Sequence, residues 1–294
     1  MKIGFIGLGN MGKPMSTNIL KNGYDVTVYD IDKNSVELLV GQGAKAATSP
    51  KEVAAASDII LLSLPNPHIV KEVVAGKNGV LEGIKENAII ADLSTVTPKT
   101  IIDLVPLVEE RGAKILDAPV SGGVPGAKAG KLTIMVGGDE EVFEKCKPVF
   151  ETIAKNIYYV GQIGSGLKVK LINQYLFASN LASVVEAFAL AAKAGVDAKK
   201  LVEIISNSSG SSYALKTRYN YISRNNFEPG FQINLMLKDL SLVLSMAEDN
   251  DMPLLLGGMV HQLYRLAKRK GFGEKDVCGL LLAMENINEV KFPR

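Results

Sequence analysis

The chain has 294 residues, 47% of them apolar and 22% charged. That is the balance of a folded protein large enough for two ordinary domains, and it excludes a disordered chain. A formal net charge of +2 without a polybasic tract argues against nucleic acid and anionic membrane as partners. Two histidines (His68 and His261) and two distant cysteines (Cys146 and Cys278) leave little material for a metal site and none for a disulfide framework; buried free thiols in a reducing cytoplasm are expected instead.

The opening apolar run is cut at Gly7 before it reaches the length of a signal peptide. No later stretch is expected to cross a membrane without a charge or a breaker. Runs rich in Ile, Val and Leu at 2–6, 25–29, 58–62, 88–91, 114–116 and 132–136 predict strands buried on both faces of a parallel sheet. Helical patterns lie between them, at 14–22, 33–42 and 98–111. Strand and helix in alternation predict an α/β fold with a Rossmann-like doubly wound sheet over residues 1–163. From about Ser165 the strand-like runs stop. A long helix from Gly166 to Lys193 is followed by helical patterns at 198–207, 212–223, 234–249, 253–268 and 274–288. Residues 164–294 therefore read as an all-α domain joined through the long helix.

Gly7-Leu8-Gly9-Asn10-Met11-Gly12 matches G-x-G-x-x-G and stands where that pattern has meaning, after a strand and at the start of a helix. Gly7 permits the tight turn, Gly9 leaves the backbone open to a pyrophosphate, and Gly12 allows close packing of helix and strand. The helix N-terminus adds free N–H groups and a positive dipole end. Asp30 ends the second strand, the expected place for an acid that accepts from ribose hydroxyls and repels a 2′-phosphate, so NAD is expected over NADP. Tyr29-x-x-x-Lys33 and Tyr264-x-x-x-Lys268 fit the spacing of another dehydrogenase class by coincidence, since neither lies where such chemistry reaches a nicotinamide.

Four ordered stretches carry a family resemblance. Residues 4–15, Gly-Phe-Ile-Gly-Leu-Gly-Asn-Met-Gly-Lys-Pro-Met, resemble the opening signature of the β-hydroxyacid dehydrogenases. Asp117-Ala-Pro-Val-Ser121-Gly122-Gly123 is similar to that family's substrate motif. Gly161-Gln-Ile-Gly164-Ser-Gly166-Leu-Lys-Val-Lys170-Leu-Ile-Asn173-Gln174 is similar to its catalytic helix, and 231–240, with Lys238, to its C-terminal motif. Leu64-Pro65-Asn66 with Val70-Lys71-Glu72-Val73 and Lys77-Asn78-Gly79, together with 170–174 and 226–231, lean toward the tartronate semialdehyde reductase branch. Ser208-Ser209-Gly210-Ser211-Ser212 resembles instead the hydroxyisobutyrate and hydroxymethylglutarate dehydrogenases. The related 6-phosphogluconate dehydrogenases have a much larger C-terminal domain than this chain provides.

The resemblance implies an NAD-linked oxidoreductase, with NADP as the less favoured cofactor, that interconverts a small 3-hydroxy acid and its semialdehyde. A homodimer or homotetramer is expected. Lys170 is the candidate proton carrier, because hydride transfer needs a proton partner for the reacting oxygen and burial can tune a lysine to the task. Asn173 and Gln174, three and four positions on, share its helix face, whereas Lys168 points elsewhere. Ser121, Gly122 and Gly123 offer a hydroxyl and backbone N–H groups to a carboxylate. Leu64, Pro65, Thr95 and Lys238 are implied on the cofactor side, and Ser212 near the substrate. The alternative from another class is a non-catalytic NAD-binding scaffold of the same fold; such relatives lack the lysine present here at 170.

Overall fold

Nine strands form one sheet in the computed structural model, which describes residues 1–292. They are β1 (Lys2–Ile6), β2 (Asp25–Tyr29), β3 (Lys45–Ala46), β4 (Ile59–Leu62), β5 (Ile89–Asp92), β6 (Lys114–Asp117), β7 (Val120–Ser121), β8 (Leu132–Gly137) and β9 (Ala154–Gly161). The order is β3-β2-β1-β4-β5-β6-β8-β7, with β9 on β8. The chain winds outward from β1 to β3, then returns to the other side of β1 as β4. The carboxyl ends of β1 and β4 thus flank the point where strand order reverses, the usual ligand crevice of such sheets.

The sheet is parallel from β3 to β6 and mixed beyond, which differs from the all-parallel expectation. β8 runs antiparallel to β6 and β7 and parallel to β9. The turn at residues 121–123 and a short helix reverse the chain between β7 and β8, too little length for a parallel crossover.

Helices α1 (Gly12–Lys21), α2 (Lys33–Val40), α3 (Pro50–Ala56), α4 (Pro67–Ala75), α5 (Pro98–Ile102), α6 (Val105–Glu109), α7 (Gly123–Ala129) and α8 (Glu140–Phe150) cover the sheet. Three start alike: Ser49, Asn66 and Thr97 each cap with a side-chain oxygen, and a proline follows at once. Proline suits the first helical position because its missing N–H has no partner there anyway. The single helix expected over 98–111 is instead two, α5 and α6. Pro106 has no N–H for the carbonyl of Ile102, and its ring crowds that carbonyl. One face of the sheet buries Phe5, Met15, Val28, Ile134 and Phe150, the other Ile6, Val70, Ile90, Ile101 and Leu167.

The chain divides into two compact units, the first Met1–Lys170 and the second from Leu171 onward. The division falls inside α9 (Ser165–Lys193). This helix is long and apolar enough to cross a membrane by length and composition alone, although Lys168, Lys170 and Glu186 interrupt it with charge. Leu181, Val185 and Phe188 on it belong to the hydrophobic core of the second unit, which is the ordinary role of such a helix. The second unit is otherwise built from α10 (Ala198–Ser206), α11 (Tyr213–Ile222), α12 (Ile233–Asp249), α13 (Leu255–Ala267) and α14 (Leu280–Asn288). The helix expected from Glu274 begins later. Residues 273–275 turn, with Lys275 N–H donating to the Phe272 carbonyl at 3.0 Å, and the segment is tied to the start of α12 by Ile233 N–H donating to the Lys275 carbonyl at 2.9 Å and by a bridge between Gln232 and Asp276. Buried Asp276 also accepts from Phe231 N–H at 2.9 Å and Cys278 N–H at 3.1 Å, opposite Arg218. Both cysteines are buried free thiols, and burial pushes the Cys146 thiol up to about 12.

Candidate active site

The glycine-rich turn leaves β1 at the strand-order reversal. Gly7 has φ +94°, and a Cβ there would overlap the Ser63 carbonyl oxygen at the end of β4. A Cβ on Gly12 would overlap the Gly7 carbonyl oxygen, so the start of α1 seats directly on the turn. Gly9 differs: it is exposed, and a Cβ built on it meets no atom within 4 Å. Nothing in the folded chain requires glycine there. The open backbone leaves room for a ligand to approach, and a dinucleotide pyrophosphate fits such a cradle.

Asp30, half-buried just past β2, accepts from the backbone N–H of Leu8 through Oδ2 and from Asp32 N–H through Oδ1 at 2.8 Å. A carboxylate has about four lone-pair sites, so two N–H donors leave capacity for ribose hydroxyls. Asn10 is exposed and Met11 half-buried at the mouth of the same turn.

The loops after β4 and β5 are joined. Leu64 N–H donates to Ser94 Oγ at 2.8 Å, and Ser94 N–H donates to Asp92 Oδ1 at 3.0 Å. Leu64 and Pro65 are thereby brought beside the loop that carries Thr95. Asp92 is fully buried, and its register partner on the next strand is Asp117, also fully buried. Neither buried acid, nor Ser94, was singled out as functional from the sequence. The available signal was an acid ending an otherwise apolar strand.

Asp117 organises the next group. Its Oδ1 accepts from Gly164 N–H at 2.6 Å and its Oδ2 from Leu167 N–H at 2.7 Å. Burial pushes this carboxyl above the usual carboxylate range, opposed by the N–H donors. Four residues on, Ser121 ends β7 and is half-buried, and Gly122 and Gly123 follow with φ +129° and +61°. Two left-handed residues in succession turn the chain so sharply that only glycine takes them without strain. In α9, Lys170 is 6% exposed, whereas Lys168 is exposed, as the helix register requires.

In the second unit, Asp239 holds two of the expected residues directly and a third through Gln174. Gln174 donates to Asp239 Oδ2 at 2.6 Å, Lys238 pairs with Asp239 Oδ1 at 2.8 Å, and Asn173 donates to Gln174 Oε1 at 3.2 Å. Asp239 is 3% exposed, and nothing in its sequence context marks it as a site residue. Ser212 caps α11, its hydroxyl accepting from Leu215 N–H at 3.1 Å. That use as a cap is local, and the hydroxyl proton remains available as a donor.

A doubly wound sheet with this turn and an acid just past its second strand defines a dinucleotide-binding protein. The family model described as the NAD-binding domain of 6-phosphogluconate dehydrogenase matches residues 2–161, and that described as the NAD-binding part of NADP-dependent 3-hydroxyisobutyrate dehydrogenase matches residues 164–284. The chain is 43% identical to the 2-(hydroxymethyl)glutarate dehydrogenase of Eubacterium barkeri over 99% of its length and 97% of that protein's. It is 39% identical to the mitochondrial 3-hydroxyisobutyrate dehydrogenase of Mus musculus, over 93% of this chain and 84% of the relative. A solved structure of Mycobacterium tuberculosis 3-hydroxyisobutyrate dehydrogenase with L-serine is 31% identical, with a TM-score of 0.90 over 96% of this chain and 98% of the other. The chain belongs to the 3-hydroxyisobutyrate dehydrogenase-like family of β-hydroxyacid dehydrogenases. It is an NAD(P)-dependent enzyme acting on the hydroxyl group of a small hydroxy acid.

Proposed function

We propose that this enzyme interconverts a small 3-hydroxy acid and the corresponding semialdehyde, using NAD in preference to NADP. The dinucleotide, when bound, supplies the site to which the substrate carbon gives up hydride. Lys170 takes the proton that leaves the hydroxyl oxygen in the oxidising direction and returns it in the reducing one. Ser121 Oγ and the backbone N–H groups of Gly122 and Gly123 bind the substrate carboxylate. Asn173 orients the lysine or the reacting oxygen. Leu64, Pro65, Thr95 and Lys238 serve the cofactor side, and Gln174 and Ser212 the substrate side.

The observation that carries this reading is the burial of Lys170 on α9, in the unit that also contains the glycine-rich turn and Ser121–Gly123. Lysine is among the residues least often buried, because desolvating its charge is costly. A lysine withdrawn from water at this place suits proton transfer better than it suits solubility.

Two substrate readings compete. Leu64-Pro65-Asn66 and 70–79 favour tartronate semialdehyde. The serine-rich segment before α11 favours hydroxyisobutyrate or 2-(hydroxymethyl)glutarate, and the names of the relatives weigh on that side. Assay of these acids, L-serine and tartronate semialdehyde with NAD(H) and NADP(H), compared as kcat/KM, separates them. Absence of turnover on the whole panel, with NADH bound normally, would remove the proposal.

A further inference from the structure

Asp117 is the last residue of β6, and two functional groups depend from it. Through the chain it leads in four residues to Ser121. Through its side chain it holds the start of α9, since both carboxylate oxygens accept from backbone N–H groups, of Gly164 and of Leu167, three residues before Lys170. The first N–H groups of a helix lack partners within it, and an ionised carboxylate is the strongest acceptor for them.

The surrounding backbone is shaped to this bond. Gly137 is the register partner of Asp117 across β8, and a Cβ on it would press on Asp117 Oδ1. A Cβ on Gly166 would overlap the Met135 carbonyl and lie 3.0 Å from Asp117 Oδ2. Gly164 has φ +88° and turns the chain into the helix. Two glycines thus admit the carboxylate and a third turns the chain into the helix that it holds.

We infer that Asp117 is a positioning residue for Lys170, fixing the first turn of α9 so that the lysine stands at a set place relative to Ser121–Gly123. The inference rests on the proposed role of Lys170. Asp117 touches neither substrate nor cofactor in this role; it acts through the helix. A displacement of about 1 Å in a catalytic group can cost about a hundredfold in rate. Burial alone would give Asp117 no more than a share in stability.

The test uses Asp117→Asn in the full-length enzyme. Asparagine keeps one acceptor, for Gly164 N–H, and turns an NH2 toward Leu167 N–H. The expected result is a kcat lower by about ten- to a hundredfold, with substrate KM and the NADH dissociation constant within about threefold of the parent. Amide hydrogen exchange over residues 164–170 should accelerate while that of β1 stays unchanged. In a Lys170→Ala background Asp117→Asn should lower the rate no further, because residues acting as one unit are not additive. Asp117→Ser is the second variant and should fall below Asn in kcat, since its shorter side chain reaches neither donor as well.

A folded variant with parental kcat overturns the inference, and so does an equal loss from Asp117→Asn with and without Lys170. Failure of both variants to fold would make Asp117 a general stability residue and overturn it likewise. If Lys170→Ala turns over normally, the catalytic reading falls by itself. Exchange at 164–170 in Asp117→Asn then still shows whether the carboxylate holds the turn.

Discussion

The backbone N–H of Leu8 donates to the carboxylate of Asp30, so the acid expected to receive ribose hydroxyls also braces the glycine-rich turn. The two functions sit on different lone pairs of one side chain. Substituting Asp30 therefore alters the turn as well as the ribose site.

The unmodified enzyme is expected to show a higher kcat/KM with NADH than with NADPH. Asp30→Ala should narrow that ratio by about tenfold or more, the scale of one charge-assisted hydrogen bond. Because the Leu8 N–H loses its acceptor, affinity for both cofactors should also fall. Steady-state assay with each cofactor checks this; a parental preference for NADPH would show the reading of Asp30 to be wrong.

Ser121→Ala should act mainly on KM, through loss of a hydrogen bond to an ionised carboxylate worth about 1.5–3 kcal/mol. Ser212→Ala should behave otherwise. Ser212 caps α11, so its loss should cost about 1 kcal/mol of stability, seen as a lower Tm, along with a shift in preference among the acids. Unchanged kinetics in both variants across the panel would mean the carboxylate is bound elsewhere.

Lys170→Ala should bind NADH like the parent and lose about 10²–10⁴-fold in kcat, the usual worth of a positioned acid or base. Exposed Lys168 is the control on the same helix, and Lys168→Ala should lose far less. One limb of the pH profile of kcat/KM should vanish with Lys170. Asn173→Ala should fall between the two. A dead Lys168 variant beside a normal Lys170 variant would place the chemistry on the wrong side of α9.

Most of the doubly wound half was legible from residues. Buried strands such as β4 and β5 announce themselves as unbroken Ile, Val and Leu, and the glycine spacing marks the turn between β1 and α1. What escaped was short, exposed or dependent on distant partners. β3 is two exposed residues, Lys45 and Ala46, with no pattern to read. β9 alternates poorly because it lies beyond β8 with much of its length exposed. Asp92, Asp117 and Asp239 escaped as site residues for a common reason. Asp117 and Asp239 accept from groups that only the fold brings near, and Asp92 faces Asp117 only across the sheet; an acid's letter in a sequence does not say what will stand beside it.

A pH dependence follows from His261, whose ring lies 3.0 Å from Ser241 Oγ. Burial, then the neighbouring Arg265, lowers its pKa from the ordinary 6.5. The unfolded chain then binds a proton near that pH that the folded chain does not, so stability rises with pH across this window. Melting temperature should be level above about pH 7 and decline as pH falls from 6.5 toward the lowered folded value. His261→Gln should flatten that decline. An unchanged slope in the variant would mean that other groups account for it.

The open space around Gly9 separates what folding asks of this position from what catalysis asks. Gly9 is absent from the left-handed glycines, so an alanine can take its backbone conformation and finds no neighbour to strike. Alanine in place of glycine narrows the unfolded ensemble, which commonly stabilises a protein by about 0.4–1 kcal/mol. A chain improved for stability alone would tend to lose this glycine. On the proposed cofactor site its methyl group would stand in the path of the phosphates, so the gain in Tm is expected to come with a loss of NADH binding. Thermal selection without an activity screen should discard the enzyme's function at this position first.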